Sequence, residues 1–344
     1  MNPRIARVLR ASGKSLAMLF VGFPAIWGAF ALWYQVPGSQ AIKALCATLW
    51  AVFSIAMLVA LWQGRAALGV FGFAAVFAVL LVWWHQLLPS NDRVWADDVA
   101  QMTTGTVDGS RVTLHNVRNF DWRSNNDYTQ RWETRSYDLD QLRSVDMIMS
   151  YWSGPAIAHM LVSFGFDDQG HDGQVVFSVE IRRQKSESFS EIGGFFKQFE
   201  LSIIAADERD VIRVRTNVRG EDDYLYRVQM PVAEMRALFL AYVDEANSLV
   251  HTPRFYNTVT ANCTTLVYHM IKHIVGRLPL SYRLLLSGYL PEYVYAVGGL
   301  DRNYPLAELR ARGHITERAL RSGRSETFSA DIRRGVPGVD PAAR

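Results

Sequence analysis

Three uncharged apolar runs, Ser15–Tyr34, Ala44–Trp62 and Ala66–Trp84, decide most of what this chain can become. Each is about 20 residues, the length at which a helix crosses ~30 Å of hydrocarbon. Residues 1–84 contain no acidic side chain and only six basic ones: Arg4, Arg7, Arg10, Lys14, Lys43 and Arg65. A soluble helical bundle would not be so bare of acid. A signal peptide would account for one such run, not three. Residues 1–88 therefore read as a membrane domain with spans at about 15–34, 44–62 and 66–84. The short connections Gln35–Lys43 and Gln63–Arg65 make the set antiparallel. Arg4, Arg7, Arg10 and Lys14 mark the side before the first span as cytoplasmic, and Arg65 falls on that side too. Lys43 dissents, with a stem long enough to snorkel. Three crossings then leave everything after Leu88 outside the cytoplasm.

The net charge of +3 is a sum of unlike parts, because residues 85–344 hold 30 basic against 33 acidic groups. Bulk charge thus excludes nucleic acid as a partner. Two cysteines, Cys46 and Cys263, exclude a disulfide framework and a Cys-rich zinc module. From Ser90 the composition turns polar. Strand candidates follow at Arg111–Arg118, Thr129–Tyr137, Ala158–Phe166, Val175–Arg182, Val211–Thr216 and Tyr224–Val228. Asp167–Gly173, which includes His171, reads as the turn of a hairpin. Arg213 and Arg215 alternating with Ile212 and Val214 read as a half-exposed strand. Helices come later: Val232–Val250 opened by Pro231, Cys263–Val275 stopped by Gly276, and short pieces at Leu280–Leu290 and Pro291–Val297. Strands first and helices last suggest an α+β domain over residues 89–320, with a disordered tail over 321–344.

Cys263 sits between a polar stretch and an apolar run of helical spacing, so it lies at a helix N-terminus. There the positive dipole end favours a thiolate. A buried, inert cysteine fits the position equally well. A nucleophile needs a base. His269 and His273 lie on the same helix, six and ten residues on, and cannot reach back. His159 opens an apolar strand, either as a core histidine or as the base. The partner strand carries Ser178 and Glu180, and either could hold an imidazole. With Phe166 opposite Gln174, however, His159 would face Ile181. Only a bulge or a one-residue shift brings Glu180 to it. Tyr256 and Asn262 are candidates for supporting an oxyanion, with a structural tyrosine and a helix cap as their plainer readings.

Several ordered motifs carry a resemblance. They are Asn91-Asp92-Arg93-x-Trp95, Asn116-Val117-Arg118-Asn119-Phe120, Ile157-Ala158-His159, Phe164-Gly165-Phe166, Ser178-Val179-Glu180-Ile181-Arg182, Gly194-Phe195-Phe196-x-x-Phe199-Glu200 and Tyr256-Asn257-x-x-x-x-Asn262-Cys263-Thr264-Thr265. From about Asn91 to Leu309 the chain resembles the Lnb N-terminal periplasmic domain family. It also resembles the wider circularly permuted papain-like (NlpC-type) group, where the histidine strand precedes the cysteine helix. The resemblance implies acyl chemistry at a membrane, of the lipoprotein intramolecular acyltransferase kind. Cys263 would be the nucleophile, His159 its base and Glu180 the group that orients His159. It further implies a multi-pass protein of the bacterial inner membrane, with a periplasmic domain and a lipid or lipoprotein substrate. An envelope peptidase or amidase and a non-enzymatic module of a membrane complex are the alternatives. The three spans depart from the pattern and leave the substrate open.

The remaining patterns are plain. Arg182-Arg183 and Arg213, Arg215 and Arg219 read as solvated faces. Asp207, Glu208 and Asp210 lack the order of metal ligands, so neither metal nor cofactor is expected.

Overall fold

The computed structural model describes residues 3–167 and 173–339. The turn read at Asp167–Gly173 falls largely outside them, His171 included. The chain divides into two compact units, Met1–Ser90 with Phe189–Gln198, and Asn91–Ser188 with Phe199–Arg344.

The first unit holds α1 (Pro3–Gln35), α2 (Gln40–Trp62) and α3 (Phe73–Gln86), the last continuing a π turn at Leu68–Gly72. Ser15–Gln35, Gln40–Trp62 and Leu68–Gln86 are each long and apolar enough to cross a membrane. Small residues set the packing. A Cβ on Gly28 would stand 2.6 Å from the Trp50 indole, and one on Gly69 would stand 2.5 Å from Leu61. The Trp50 indole N–H in turn donates to the Ala25 carbonyl at 2.8 Å. The short segment 189–198 belongs to this unit. Phe196 stacks on Tyr34, and its carbonyl accepts from Gln35 Nε2 at 2.7 Å. The Lys197 ammonium donates to the Trp84 carbonyl at 2.8 Å, a cation satisfying the C-terminal end of α3.

The second unit is a sheet covered by helices on both faces. Its strands are β1 (Thr104–Asp108), β2 (Arg111–Arg118), β3 (Asp121–Trp122), β4 (Tyr128–Thr129), β5 (Trp132–Asp138), β6 (Leu142–Tyr151), β7 (Ala158–Phe166), β8 (Gln174–Arg182), β9 (Glu200–Ala206) and β10 (Asp222–Arg227). The main order is β1-β2-β9-β8-β7-β6-β10, with β5 also on β2, while β3 and β4 pair apart. The helices are α4 (Glu208–Arg213), α5 (Val232–His251), α6 (Cys263–Val275), α7 (Leu290–Ala296), α8 (Leu306–Gly313), α9 (Thr316–Ser322) and α10 (Phe328–Arg333). One core holds α5 and α6 against Phe164 and Phe177, with Phe239 edge-on to both rings. The other packs Val211, Ile212, Phe328 and Ile332 on Ile148, Leu161, Val176 and Ile204. The unit is thus α+β, built around its sheet.

Three expectations fail for one reason, the burial of charge. Val211–Thr216 is no strand. Asp207 caps α4, accepting from the Arg209 N–H, and a π turn at Val214–Arg219 continues it. The alternation of arginine with apolar residues imitates a strand only if the arginines face water. Arg213 and Arg215 are instead buried, as is Arg182. Arg182 donates to the Val99 and Ala100 carbonyls, and Arg213 pairs with Asp121. The tail is ordered through Val339, because α10 buries Phe328 and Ile332 and anchors Arg333. Arg333 Nε meets Asp146 at 2.9 Å, and its Nη1 meets Glu208 at 2.7 Å. Breaking a buried pair of this sort costs ~3–5 kcal/mol, a strong tether for a polar tail. Asp207 and Asp210 are likewise spent on arginines, Asp207 on Arg135 and Asp210 on Arg118. No group of three or more ligating side chains able to hold a metal occurs among the described residues.

Candidate active site

Cys263 is the first residue of α6, and Asn262 is its cap. Asn262 Oδ1 accepts from the Thr264 and Thr265 N–H groups, while the Thr265 hydroxyl accepts from the Asn262 N–H, a complete capping box. Asn262 Nδ2 donates to the Thr258 carbonyl at 2.6 Å. The Asn262 side chain is thereby committed to building the helix start. Gly276, at φ +82°, ends the helix where the sequence expects it.

His159 reaches the same place from the sheet. β7 and β8 pair with Gly165 opposite Gln174 and Leu161 opposite Ser178. This is one residue off the expected register, because the closing rung is Phe166 N–H to the Gly173 carbonyl at 2.7 Å. Carried onward, the observed register sets His159 across from Glu180. The pairing of β7 with β8 stops at Leu161 and Ser178, while β8 continues on β9 to Arg182. The two strands therefore open beside His159. There the His159 ring and the Met160 backbone N–H act on the Cys263 thiol, both lowering its pKa.

The order of donors assigns the imidazole tautomer. The Ser178 hydroxyl donates to Glu180 Oε1 at 2.6 Å, so it accepts from His159 Nε2 at 2.7 Å. Glu180 Oε1 also stands 3.3 Å from Nε2. With Nε2 so engaged, Nδ1 is the nitrogen left for the thiol. Behind Glu180 lies Arg215, whose Nη2 donates to Glu180 and whose Nη1 donates to Glu221, both at 3.2 Å. Ser150, directly opposite His159 on β6, bonds both Glu221 and Asp223. One polar row thus crosses four strands on one face: Glu180, His159, Ser150 and Asp223.

The electrostatics follow from this row. Burial opposes the His159 imidazolium, but Glu180 and the thiol outweigh it and lift the group to about 9. Burial alone would raise the Cys263 thiol. The hydrogen bond and charge of His159, with the Met160 N–H and Thr264, hold it below its ordinary value instead. Glu180 also resists burial, and His159 and Arg215 keep it well below the usual carboxylate range. Asp223 goes the other way, pushed up to about 7 by burial, with Glu221 adding to the push. Tyr242, a buried phenol on α5, is held far above its ordinary value by burial and then by Cys263. The shifts of His159, Cys263 and Glu180 act together: each favours a thiolate facing an imidazolium, with an ionised carboxylate behind it.

Cys263, His159 and Glu180 come together, and Ser178 joins them as the direct bridge. Tyr256 packs against the core that contains Cys263, its N–H bonded to the Phe199 carbonyl at 2.9 Å. His115 bonds Thr134 on an exposed strand, and His314 bonds Asp222 and stacks on Tyr224. Sequence reasoning missed Tyr242 and Arg215 as site neighbours, the latter misread as solvated. Beside the thiol lies an apolar cavity of about 80 Å³. Met160 and Thr264, which both touch the thiol, line it together with Met147, Leu238, Val267 and Ile271.

Residues 128–288 match the Lnb N-terminal periplasmic domain family, the family that the motifs resemble. The matched stretch contains His159, Ser178, Glu180 and Cys263 together. No curated protein and no solved structure matches the chain.

Proposed function

We propose that this protein is a membrane-anchored thiol acyltransferase or acyl hydrolase acting through a thioester on Cys263, with lipid or lipoprotein acyl chains as substrate. The observation that carries the reading is the thiol at the start of α6, its pKa lowered by a His159 whose Nε2 is held by Ser178 and Glu180. In the first half-reaction the Cys263 thiolate attacks an ester carbonyl. The C–S bond forms, the C–O bond breaks, and the leaving alcohol takes the proton of the His159 imidazolium. In the second, an amine or water attacks the thioester, gives its proton to His159 and restores the thiolate. The Cys263 N–H, first in its helix, has no acceptor within the helix and suits the oxyanion. This replaces the support expected from Asn262, whose side chain is used as the cap. The permuted papain-like order, histidine strand before cysteine helix, fits the same reading.

The small cavity suits the first methylenes of an acyl group better than a peptide backbone. Its walls are almost wholly apolar, and a peptide backbone placed there would leave amides unpaired. The test uses the full-length protein in membranes with a diacylated lipoprotein peptide, read by intact mass. The expected result is an acyl adduct on Cys263 that hydroxylamine removes, followed by acyl transfer to the peptide amine. Absence of both, with phospholipid and lipoprotein donors alike, ends the reading. The same proposal puts the N-terminus in the cytoplasm and the α+β domain in the periplasm of a bacterial inner membrane protein. Alkaline phosphatase fused after Leu88 should then be active and fused after Gly64 inactive, and the reverse pattern would overturn the orientation.

A further inference from the structure

The segment that carries Cys263 has a surface that the chemistry of the thiol does not use. No acidic residue occurs between Glu245 and Glu292, whereas Arg254, Lys272, Arg277 and Arg283 all fall there. That imbalance repeats the pattern of the membrane-spanning domain in a part of the chain whose surroundings are otherwise slightly acidic.

After α6 the chain runs as an irregular loop with single turns at Tyr282–Leu284 and Ser287–Tyr289. The short helical pieces expected over Leu280–Leu290 are these two turns, and the loop turns large apolar side chains to both sides. Inward, Leu278, Leu284 and Leu290 line the cavity beside the thiol. Outward, Leu280 is 80% exposed, Tyr282 63%, Leu285 50% and Leu286 38%. Elsewhere in this unit the exposed large apolar residues are scattered, as Val107, Val232 and Leu320 are. A scattered leucine on a soluble surface needs no explanation, but four large apolar side chains within seven residues do. Lys272 and Arg277 are exposed and Arg283 is half-buried, so basic groups flank the apolar tip.

We infer that the loop Leu278–Leu290 is an interfacial anchor, which inserts Leu280, Tyr282, Leu285 and Leu286 into an anionic lipid bilayer while Lys272, Arg277 and Arg283 meet the phosphates. The occupant follows from the chemistry. Apolar tips with a basic rim match the acyl and headgroup layers of an anionic membrane. A tyrosine among leucines suits the boundary between those layers. Three helices long and apolar enough to span a bilayer belong to the same chain, so a membrane is always at hand. The outward leucines meet lipid, while the inward ones, Leu278, Leu284 and Leu290, line the same small apolar cavity as Met160 and Thr264. This surface goes beyond the catalytic reading and does not depend on it.

The experiment is photocrosslinking of the full-length protein in vesicles. The photoreactive p-benzoylphenylalanine is placed at Leu280, at Leu285 or, as an exposed control on β1, at Val107. The vesicles are phosphatidylcholine with or without about 30% phosphatidylglycerol. Wild-type rates of Cys263 alkylation confirm that each variant is folded. The expected result is lipid adducts at Leu280 and Leu285 at least about fivefold above Val107, and more with phosphatidylglycerol than without. Adduct yields no higher than at Val107, or crosslinks to a second protein chain instead of lipid, overturn the anchor. Equal yields on the two vesicles overturn the part given to the basic rim. Repeating the measurement in Cys263→Ala separates the two proposals, because lipid adducts there persist without turnover.

Discussion

Acyl turnover in Cys263→Ala is expected to fall by about 10⁴- to 10⁶-fold, the loss seen when a covalent nucleophile is removed from a preorganised site. Nothing else in the site can replace it. Cys46 belongs to a membrane-spanning helix of the other unit, and Thr264 Oγ1, 3.9 Å from the sulfur, lies on the following residue. The substitution leaves the helix start intact, because the capping box is made by Asn262 and Thr265. Removing one buried sulfur costs only ~1 kcal/mol, so loss of activity is not loss of fold. The measurement is the initial rate of acyl transfer in membranes, with thermal unfolding as the control. Cys263→Ser sharpens it, because a hydroxyl without a depressed pKa retains the shape and loses the thiolate. Turnover in the alanine variant within tenfold of wild type would remove Cys263 from the mechanism.

Much of this site was legible because local signals and tertiary needs agree there. The Asn-Cys-Thr-Thr step reads as a helix cap from composition alone, and α6 begins and ends where the cap and Gly276 put it. β7 matches its apolar run to the residue. Glu180 was visible but misaligned, since register depends on where a turn closes, and no local pattern specifies that to one residue. Arg215 was not legible at all. Its partners Glu180 and Glu221 lie on separate strand and loop segments, and a buried arginine looks like an exposed one until its carboxylates are placed. The same blindness hid α10, where a polar, arginine-rich tail is held by Asp146 and Glu208 from far upstream. β6 and β9 escaped for the opposite reason, since both carry polar residues such as Asp146, Ser150, Glu200 and Ser202 that are buried in the sheet.

The pH dependence tests the electrical form of the site directly. His159 is raised to about 9 and Cys263 is depressed, and both shifts favour the thiolate–imidazolium pair. Alkylation of Cys263 by a neutral reagent should therefore be faster at neutral pH than that of an unperturbed thiol. Transfer needs the imidazolium to protonate the leaving alcohol, so turnover should fall as pH rises through about 9. Because the folded pKa of His159 lies above its ordinary value, its contribution to stability is complete at acidic pH and is lost over that same rise. His159→Gln removes both the counter-charge and the proton shuttle. The thiol then keeps only the Met160 N–H and Thr264 against burial, so its pKa rises and alkylation at neutral pH should drop by about 100-fold. Turnover should drop by about 10²- to 10⁴-fold, the usual share of a general acid–base group. Glu180→Gln separates charge from shape. The amide still accepts from Ser178, but the largest influence raising His159 is gone, so burial lowers the group. The basic limb of the turnover profile should then move down from about 9, while Arg215 is left with one of its two carboxylate partners, Glu221. A basic limb unmoved in Glu180→Gln would mean that Glu180 does not set the charge of His159, and the row from Glu180 to Asp223 would then serve the sheet rather than the thiol.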